Sequence, residues 1–350
     1  MENHTPNSTP SKNRCPRCRS IMGVPPRPPQ VPRAAVWGRS RRKLETYFSS
    51  NDTYYTAAVN HIPRGLMEKW LGKVHCGDCI DLMDRMPAAS VGVVVTSPPY
   101  NIRNSTGNGL KDGRGGKWKN ASLINGYTDH EDCMPHDQYV AWQRRCLTAM
   151  MRVLREDGAI FYNHKWRVQG GLLQDRSDIV SGFPVRQIII WQRDGGFNFN
   201  PGYFLPTYEV IYLICKPKFR LVPKANAVGD VWRIGQENSN PHPAPFPIEL
   251  AQRCIKATAA EVVLDPFMGS GTTAIAAESC GREWVGMELS GDYCKLAKER
   301  ILVEALKTAI EELDPEWLEA NGPAERLRRV DVLRELLHQV EEQTAEGERS

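Results

Sequence analysis

The feature that most constrains this chain is a pair of apolar strands, each running straight into an unusual turn. Val91 to Val95 is a near-continuous β-branched run, the pattern of a parallel strand buried on both faces. It ends in Thr96-Ser97-Pro98-Pro99-Tyr100-Asn101. Glu261 to Leu264 is a second such strand, running into Asp265-Pro266-Phe267-Met268-Gly269-Ser270-Gly271-Thr272-Thr273, after which Ala274 to Ala277 reads as helix. Around these two, strands alternate with helices. A short helix near Leu66 to Leu71 leads into a strand at Lys73 to Cys76 and a helix through Ile80, Leu82, Met83 and Met86. A helix from about His136 to Leu154 carries Tyr139, Trp142, Cys146, Met150 and Val153 on one face. Strands follow at Ala159 to Tyr162, Val185 to Trp191 and Glu209 to Cys215. A helix spans Ile248 to Ala257, a strand Trp284 to Met287 with Glu288 at its end, and a last helix Tyr293 to about Leu306. The alternation predicts an α/β fold with a doubly wound, mostly parallel sheet.

The regular pattern occupies residues 73–303. Residues 1–45 form a Pro- and Arg-rich arm, expected to be flexible and extended, and 46–72 an irregular lead-in. Residues 101–135 are a long polar loop of the kind that is usually functional. Residues 304–350 are an acidic, helical tail in which Val330, Leu333, Leu337 and Val340 share a face; it docks on its own domain or forms a dimer contact. Charge is polarised: Ser11 to Lys43 holds ten Lys or Arg and no acid, whereas Glu304 to Ser350 holds thirteen acids against six bases. A basic arm suits a polyanionic partner. No apolar run approaches the roughly 20 residues of a membrane span, and the N-terminus lacks a signal-peptide core. The ten cysteines follow no disulfide framework, so a reducing cytoplasm is expected, with Cys215, Cys254 and Cys280 as core residues.

The Asp265 to Thr273 turn opens a helix at the carboxyl end of a strand, where ligands of open α/β sheets sit. Gly269 and Gly271 allow a tight turn and close backbone approach, and the helix start offers amides to a carboxylate. A phosphate-binding loop needs Lys before its last Ser or Thr, and a dinucleotide fingerprint needs a third Gly; both are absent. Glu288, at the end of the next strand, is placed to accept from two ribose hydroxyls, so the ligand reads as a nucleoside. The bland alternative is a packing turn beside a surface glutamate.

In the other turn, Pro98 and Pro99 stiffen the backbone and remove two amide donors, leaving carbonyl acceptors. An exocyclic base amine is a poor nucleophile because its lone pair is delocalised into the ring. Acceptors aimed at its hydrogens free that lone pair, and the Ser97 hydroxyl with the Pro98 carbonyl supplies them. Tyr100 offers a face for an extruded base, a contact worth about 1–3 kcal/mol. Reaching such an amine in a duplex requires base flipping.

Together these residues resemble the beta-class S-adenosylmethionine-dependent DNA amino-methyltransferases, the N4-cytosine/N6-adenine family. Ser97 to Tyr100 match its catalytic signature and Asp265 to Thr273 its cofactor signature, with the catalytic motif first, over about residues 74–301. The resemblance implies a Rossmann-like, class I methyltransferase sheet, S-adenosylmethionine as cofactor, and direct transfer to a flipped base in duplex DNA. Ser97, Pro98, Pro99 and Tyr100 would be catalytic. Asp265, Pro266, Phe267, Gly269, Ser270, Gly271, Thr272 and Glu288 would hold the cofactor, with Asp78 near its adenine and the segment His242 to Pro247 over its methionine part. No covalent adduct forms in such enzymes, so Cys76 and Cys79 are not expected to be nucleophiles.

Ser at the first motif position is commoner among N4-cytosine enzymes, which favours cytosine; Ser97 as a tolerated acceptor for adenine is the alternative. Only Lys216 to Asn240 separates the late strands from the cofactor segment, a short span for target recognition. Contact with DNA therefore falls to the loop bases Arg103, Lys111, Arg114, Lys117 and Lys119, or to the arm, through phosphates first. Cys15 and Cys18 form half of a zinc site, which His130, Cys133 and His136 would complete only if the fold brings them close. Two rival functions remain: a catalytically silent DNA-binding protein of this fold, and methylation of protein glutamine or RNA, which motif order disfavours. A cognate restriction endonuclease and a homodimer are possible partners.

Overall fold

The computed structural model describes residues 64–101, 134–169, 172–193, 201–237 and 246–311. The N-terminal arm, most of the polar loop and the acidic tail lie outside them. So do Cys15, Cys18, His130 and Cys133, the loop bases from Arg103 to Lys119, and His242 to Pro245 of the His242 to Pro247 segment.

The strands, in chain order, are β1 (Lys73–Cys76), β2 (Val91–Thr96), β3 (Leu154–His164), β4 (Arg167–Gln169), β5 (Leu172–Gln174), β6 (Val185–Gln192), β7 (Tyr208–Cys215), β8 (Val231–Arg233), β9 (Val262–Asp265) and β10 (Glu283–Glu288). Eight of them form one sheet in the order β1-β10-β9-β2-β3-β7-β6-β8, and β4 pairs with β5 as a separate antiparallel hairpin. Every pairing from β1 to β3 is parallel, as is β6 with β8; β7 runs antiparallel to both β3 and β6. The expectation of a mostly parallel, doubly wound sheet holds.

The helices are α1 (Arg64–Met67), α2 (Cys79–Arg85), α3 (His136–Val153), α4 (Ser177–Val180), α5 (Ile248–Lys256), α6 (Thr272–Ser279) and α7 (Gly291–Glu311). They cover both faces, which is why β2 is buried at all six positions. On one face Val93, Val95 and Phe161 pack against Leu250 and Cys254 of α5, Ala274 of α6 and Ile301 of α7. On the other, Val94, Ile160 and Tyr162 pack against Met83 of α2 and Leu147 and Met150 of α3. The alternation along each central strand thus assigns successive residues to opposite layers.

Where sequence and structure differ, length is the usual reason. The lead-in helix is α1 at Arg64–Met67, and Leu71 lies in the turn beyond it, ahead of Gly72 with φ +65°. β8 has only Trp232 turned inward, too short for a periodic signal. The hairpin of β4 and β5 shows exposed Leu172 and Leu173, and α4 is a single turn. β3 begins at Leu154 rather than Ala159, because a register shift opposite Val91 and Val93 absorbs the polar start that reads as a turn. Cys215 and Cys254 are core residues as expected, whereas Cys280 is half-buried.

From β2 the chain moves to β3 on one side; from β9 it moves to β10 on the other. The neighbouring ends of β2 and β9 are therefore the topological switch point, where a crevice opens beyond the strands. Both unusual turns of the sequence sit there.

Candidate active site

The two turns are tied together at their roots. Thr96 Oγ1 donates to Asp265 Oδ1 at 2.7 Å, Thr273 Oγ1 donates to Asp265 Oδ2 at 2.5 Å, and the Phe267 amide donates to Oδ1 at 3.1 Å. Asp265 is buried. Burial pushes its carboxyl up to about 6, against the opposing pull of those three donors, and Glu288 pushes it slightly further. Its carboxylate is a buttress beneath the turn, with its oxygens engaged by the protein itself.

Above that buttress, Gly269 and Gly271 take φ of +51° and +85°, the left-handed region where a Cβ is costly. The Gly269 amide donates to Glu288 Oε2 at 2.8 Å and the Ser290 amide to Oε1 at 3.0 Å. A carboxylate oxygen can accept more than one hydrogen bond. Arg300 of α7 reaches Ser270 O, Ser270 Oγ and Thr272 Oγ1 at 3.0, 3.1 and 3.0 Å. Those two hydroxyls therefore face α7, and the crevice side of the turn is left to backbone. The first amides of α6 have no acceptor within their own helix.

Pro266 is buried below the turn. Phe267 is half-buried, its ring 5.8 Å from that of Trp142 in an edge-on contact. The Gly77 amide donates to Glu288 O at 2.8 Å, which brings the neighbouring Asp78 to the same strand end. Asp78 caps α2, accepting the Ile80 and Asp81 amides at 2.8 and 3.2 Å, a cap worth about 1 kcal/mol.

Ser97 is half-buried and Tyr100 buried. The Ser97 hydroxyl bonds the Tyr100 hydroxyl, which donates to Glu209 Oε2 at 3.0 Å. Asn163 Nδ2 lies 2.9 Å from both Tyr100 Oη and Glu209 Oε2 and 3.3 Å from Ser97 Oγ. Arg193 Nη1 lies 3.3 Å from Glu209 Oε1, with both side chains nearly enclosed. Of the two diproline carbonyls, that of Pro99 is turned inward, accepting from Tyr139 Oη at 2.8 Å; Tyr139 also bonds His164 Nε2 at 2.7 Å. Asn101 follows in the left-handed region at φ +55° and donates to Met134 O at 2.8 Å. The diproline corner is thus clamped from below by side chains of α3, β3 and β7.

Beside it, a small pocket is walled by Thr96, Asn163, Phe246 and Leu250 among others. Asn163 Oδ1 is buried without a hydrogen-bond partner in the structure. A nucleoside with a cationic side chain fits this donor set: a carboxylate at one strand end, free helix-start amides, a half-buried aromatic ring and an unmatched acceptor.

Ser97, Pro98, Pro99 and Tyr100 therefore meet the Asp265 to Thr272 turn, Glu288 and Asp78 around one crevice. Asn163, Glu209, Arg193 and Arg300 were not singled out from sequence. Glu209 as a lone acid opening an apolar strand, and Asn163 as a polar residue inside one, are the signals that point to them. His136 bonds Asp178 at 2.6 Å, and no group of three or more metal-binding side chains occurs among the described residues.

Comparison with known proteins agrees with this geometry. A family model described as DNA methylase matches residues 91–299, more than half of the chain. The Type II methyltransferase M.BglII of Bacillus subtilis is 27% identical over 283 residues, covering 68% of this chain and 71% of that protein. The Type II methyltransferase M.ScaI of Streptomyces caespitosus is 26% identical over 325 residues, covering 78% and 94%. The structure of PvuII DNA methyltransferase (cytosine-N4-specific) superposes with a TM-score of 0.50 over 67% of this chain and 95% of that one. At 19% identity this last likeness is one of fold. The motif match, the sheet order and the family model converge: this chain belongs to the N6/N4 DNA methylase family.

Proposed function

We propose that this protein transfers a methyl group from S-adenosylmethionine to the exocyclic amino nitrogen of a base flipped out of duplex DNA, with N4 of cytosine as the target. The observation that carries this reading is the Thr96–Asp265 hydrogen bond, which sets an amine-activating corner and a nucleoside-binding turn side by side.

When bound, S-adenosylmethionine supplies an electrophilic methyl group on a sulfonium. The residues of this chain do the rest. Glu288 accepts from the ribose hydroxyls, Gly269 to Thr272 present backbone to the cofactor's polar end, and Phe267 and Asp78 flank its adenine. Ser97 Oγ and the Pro98 carbonyl accept the hydrogens of the target amine and free its lone pair for in-line attack. Tyr100 holds the plane of the base, its own hydroxyl anchored by Glu209. Enclosure in the crevice strengthens each of these polar contacts relative to water. The choice of cytosine rests on Ser97 at the first motif position; N6 of adenine is the alternative. The relatives named Type II methyltransferases support a DNA-modifying enzyme of that type; a cognate endonuclease as its partner belongs to this proposal alone.

Base-resolved modification sequencing of DNA from cells expressing the wild type and Ser97→Ala tests this. N4-methylcytosine at one short motif, absent with the variant, is the expected result. N6-methyladenine would overturn the choice of base. An unmodified genome, with DNA bound but no S-adenosylmethionine taken up in calorimetry, would identify a silent DNA-binding protein.

A further inference from the structure

The side chains beneath the diproline corner form a directed chain. A carboxylate only accepts hydrogen bonds, so Tyr100 gives its single hydrogen to Glu209 Oε2. Having given it, Tyr100 Oη can only accept from Ser97, and the Ser97 hydrogen points inward. Besides the longer contact from Asn163 Nδ2 at 3.3 Å, the Ser97 oxygen thereby keeps lone-pair capacity for a donor on the crevice side. Asn163 Nδ2 enforces the same polarity, since it too only donates and faces Tyr100 Oη and Glu209 Oε2 at 2.9 Å. Arg193 supplies the counter-charge on Glu209 Oε1. Lys165 is a second cation close enough to interact with Glu209, and its own ammonium is disfavoured by burial.

Building on the methyl-transfer reading, we propose that Ser97, Tyr100 and Glu209 are a proton relay, with Glu209 taking up the proton that the target amine must shed. As the N–CH3 bond forms and the donor's S–CH3 bond breaks, the nitrogen becomes cationic and strongly acidic. Its proton passes to Ser97 Oγ, the Ser97 proton passes to Tyr100 Oη, and the Tyr100 proton passes to Glu209 Oε2. The products are the methylated neutral amine, a neutral thioether and a protonated Glu209. That carboxyl is about 9% exposed and returns its proton to water once product departs. Glu209 is the relay's end and touches no substrate; before the proton moves, it acts as a positioning residue for Ser97.

The test is single-turnover methyl transfer by the full-length protein on its own target duplex. Tyr100→Phe, Glu209→Gln and the double variant each lower the rate by about 10²-fold or more. The double variant is no slower than either single one, as expected of groups that act as a unit, while the dissociation constant for S-adenosylmethionine is unchanged. Tyr100→Phe removes one hydroxyl and leaves the Glu209–Arg193 pair intact, so it remains informative if Glu209→Gln does not fold. A Tyr100→Phe enzyme as fast as wild type overturns the relay. Independently of turnover, resonance Raman difference spectra of wild type against Tyr100→Phe report the hydrogen-bond role of this phenol. A strong donor is expected, and an acceptor-only signature overturns the proposal. A wild type that methylates no DNA refutes the methyl-transfer reading and the proton step with it. An active wild type with an unimpaired Tyr100→Phe variant refutes the relay alone.

Discussion

Thr96 Oγ1 and Asp265 Oδ1 lie 2.7 Å apart although 169 residues separate them in the chain. The bond closes the ends of two adjacent parallel strands, and each strand end opens into one half of the candidate active site. Thr96→Val keeps the shape of the side chain but leaves a buried carboxylate short of one donor. Such a loss costs about 1–3 kcal/mol. The urea midpoint of Thr96→Val should fall accordingly and Thr96→Ser should recover it. Equal midpoints for the two variants would show that the hydroxyl carries none of the stability.

Asp265 makes stability depend on pH in a defined direction. Its carboxyl is raised from the ordinary 3.8 to about 6, chiefly by burial, so the folded protein binds this proton more tightly than the unfolded chain does. Below about pH 4 both states are protonated and the site imposes no penalty. Between about pH 4 and 6 the unfolded chain ionises first, and stability falls as pH rises. Above about pH 6 the full penalty, on the order of 3 kcal/mol, is present. The difference in unfolding free energy between wild type and Asp265→Asn should therefore shift against wild type across that window. A difference independent of pH from 4 to 7 would contradict the burial argument.

Gly271 is required twice over. Its φ of +85° disfavours any side chain, and a Cβ there would lie 3.2 Å from Ile301 Cδ1 and Cγ1 and 3.3 Å from Ala297 O. Gly271→Ala should lower stability by about 1–3 kcal/mol and weaken S-adenosylmethionine binding through the displaced turn. Gly291, whose Cβ would meet nothing within 4 Å, is the control: Gly291→Ala should leave calorimetric binding unchanged. Similar losses for both variants would mean that α7 as a whole, rather than the turn, is sensitive.

The cysteines differ in reactivity for a physical reason. Burial pushes the Cys254 thiol well up and the Cys215 thiol to about 11, whereas Cys76 is exposed. Only the thiolate reacts readily. Iodoacetamide at mildly alkaline pH should label Cys76 in the native protein long before Cys215 or Cys254, as read by peptide mass mapping. Methyl transfer should survive that labelling, since no covalent adduct is involved. Loss of activity in step with Cys76 modification would count against direct transfer.

Much of this molecule is legible in one dimension. Val91 to Val95 and Val262 to Leu264 are strands because β-branched residues suit extended backbone and both faces are buried. Ser97 to Tyr100 and Gly269 to Thr272 declare themselves because diproline and paired glycines restrict or free the backbone locally. What stayed hidden were partners contributed across the fold. Arg300 looks like one more base on an amphipathic helix until α7 lays it over Ser270 and Thr272. Glu209 looks like a strand-end acid until β7 pairs antiparallel with β3 and sets it beside Asn163.

The residues alone determined which of the longer elements form, which faces are apolar, and that two strand ends carry backbone geometries suited to a nucleoside and to a base amine. Those are consequences of torsional preference and period, acting over a few neighbours. Tertiary structure decided that the two ends share one crevice, that Asp265 serves as an inner buttress, and that Tyr100 hangs its hydroxyl on Glu209. These facts depend on sheet order and register, and hence on free energies summed over the whole core.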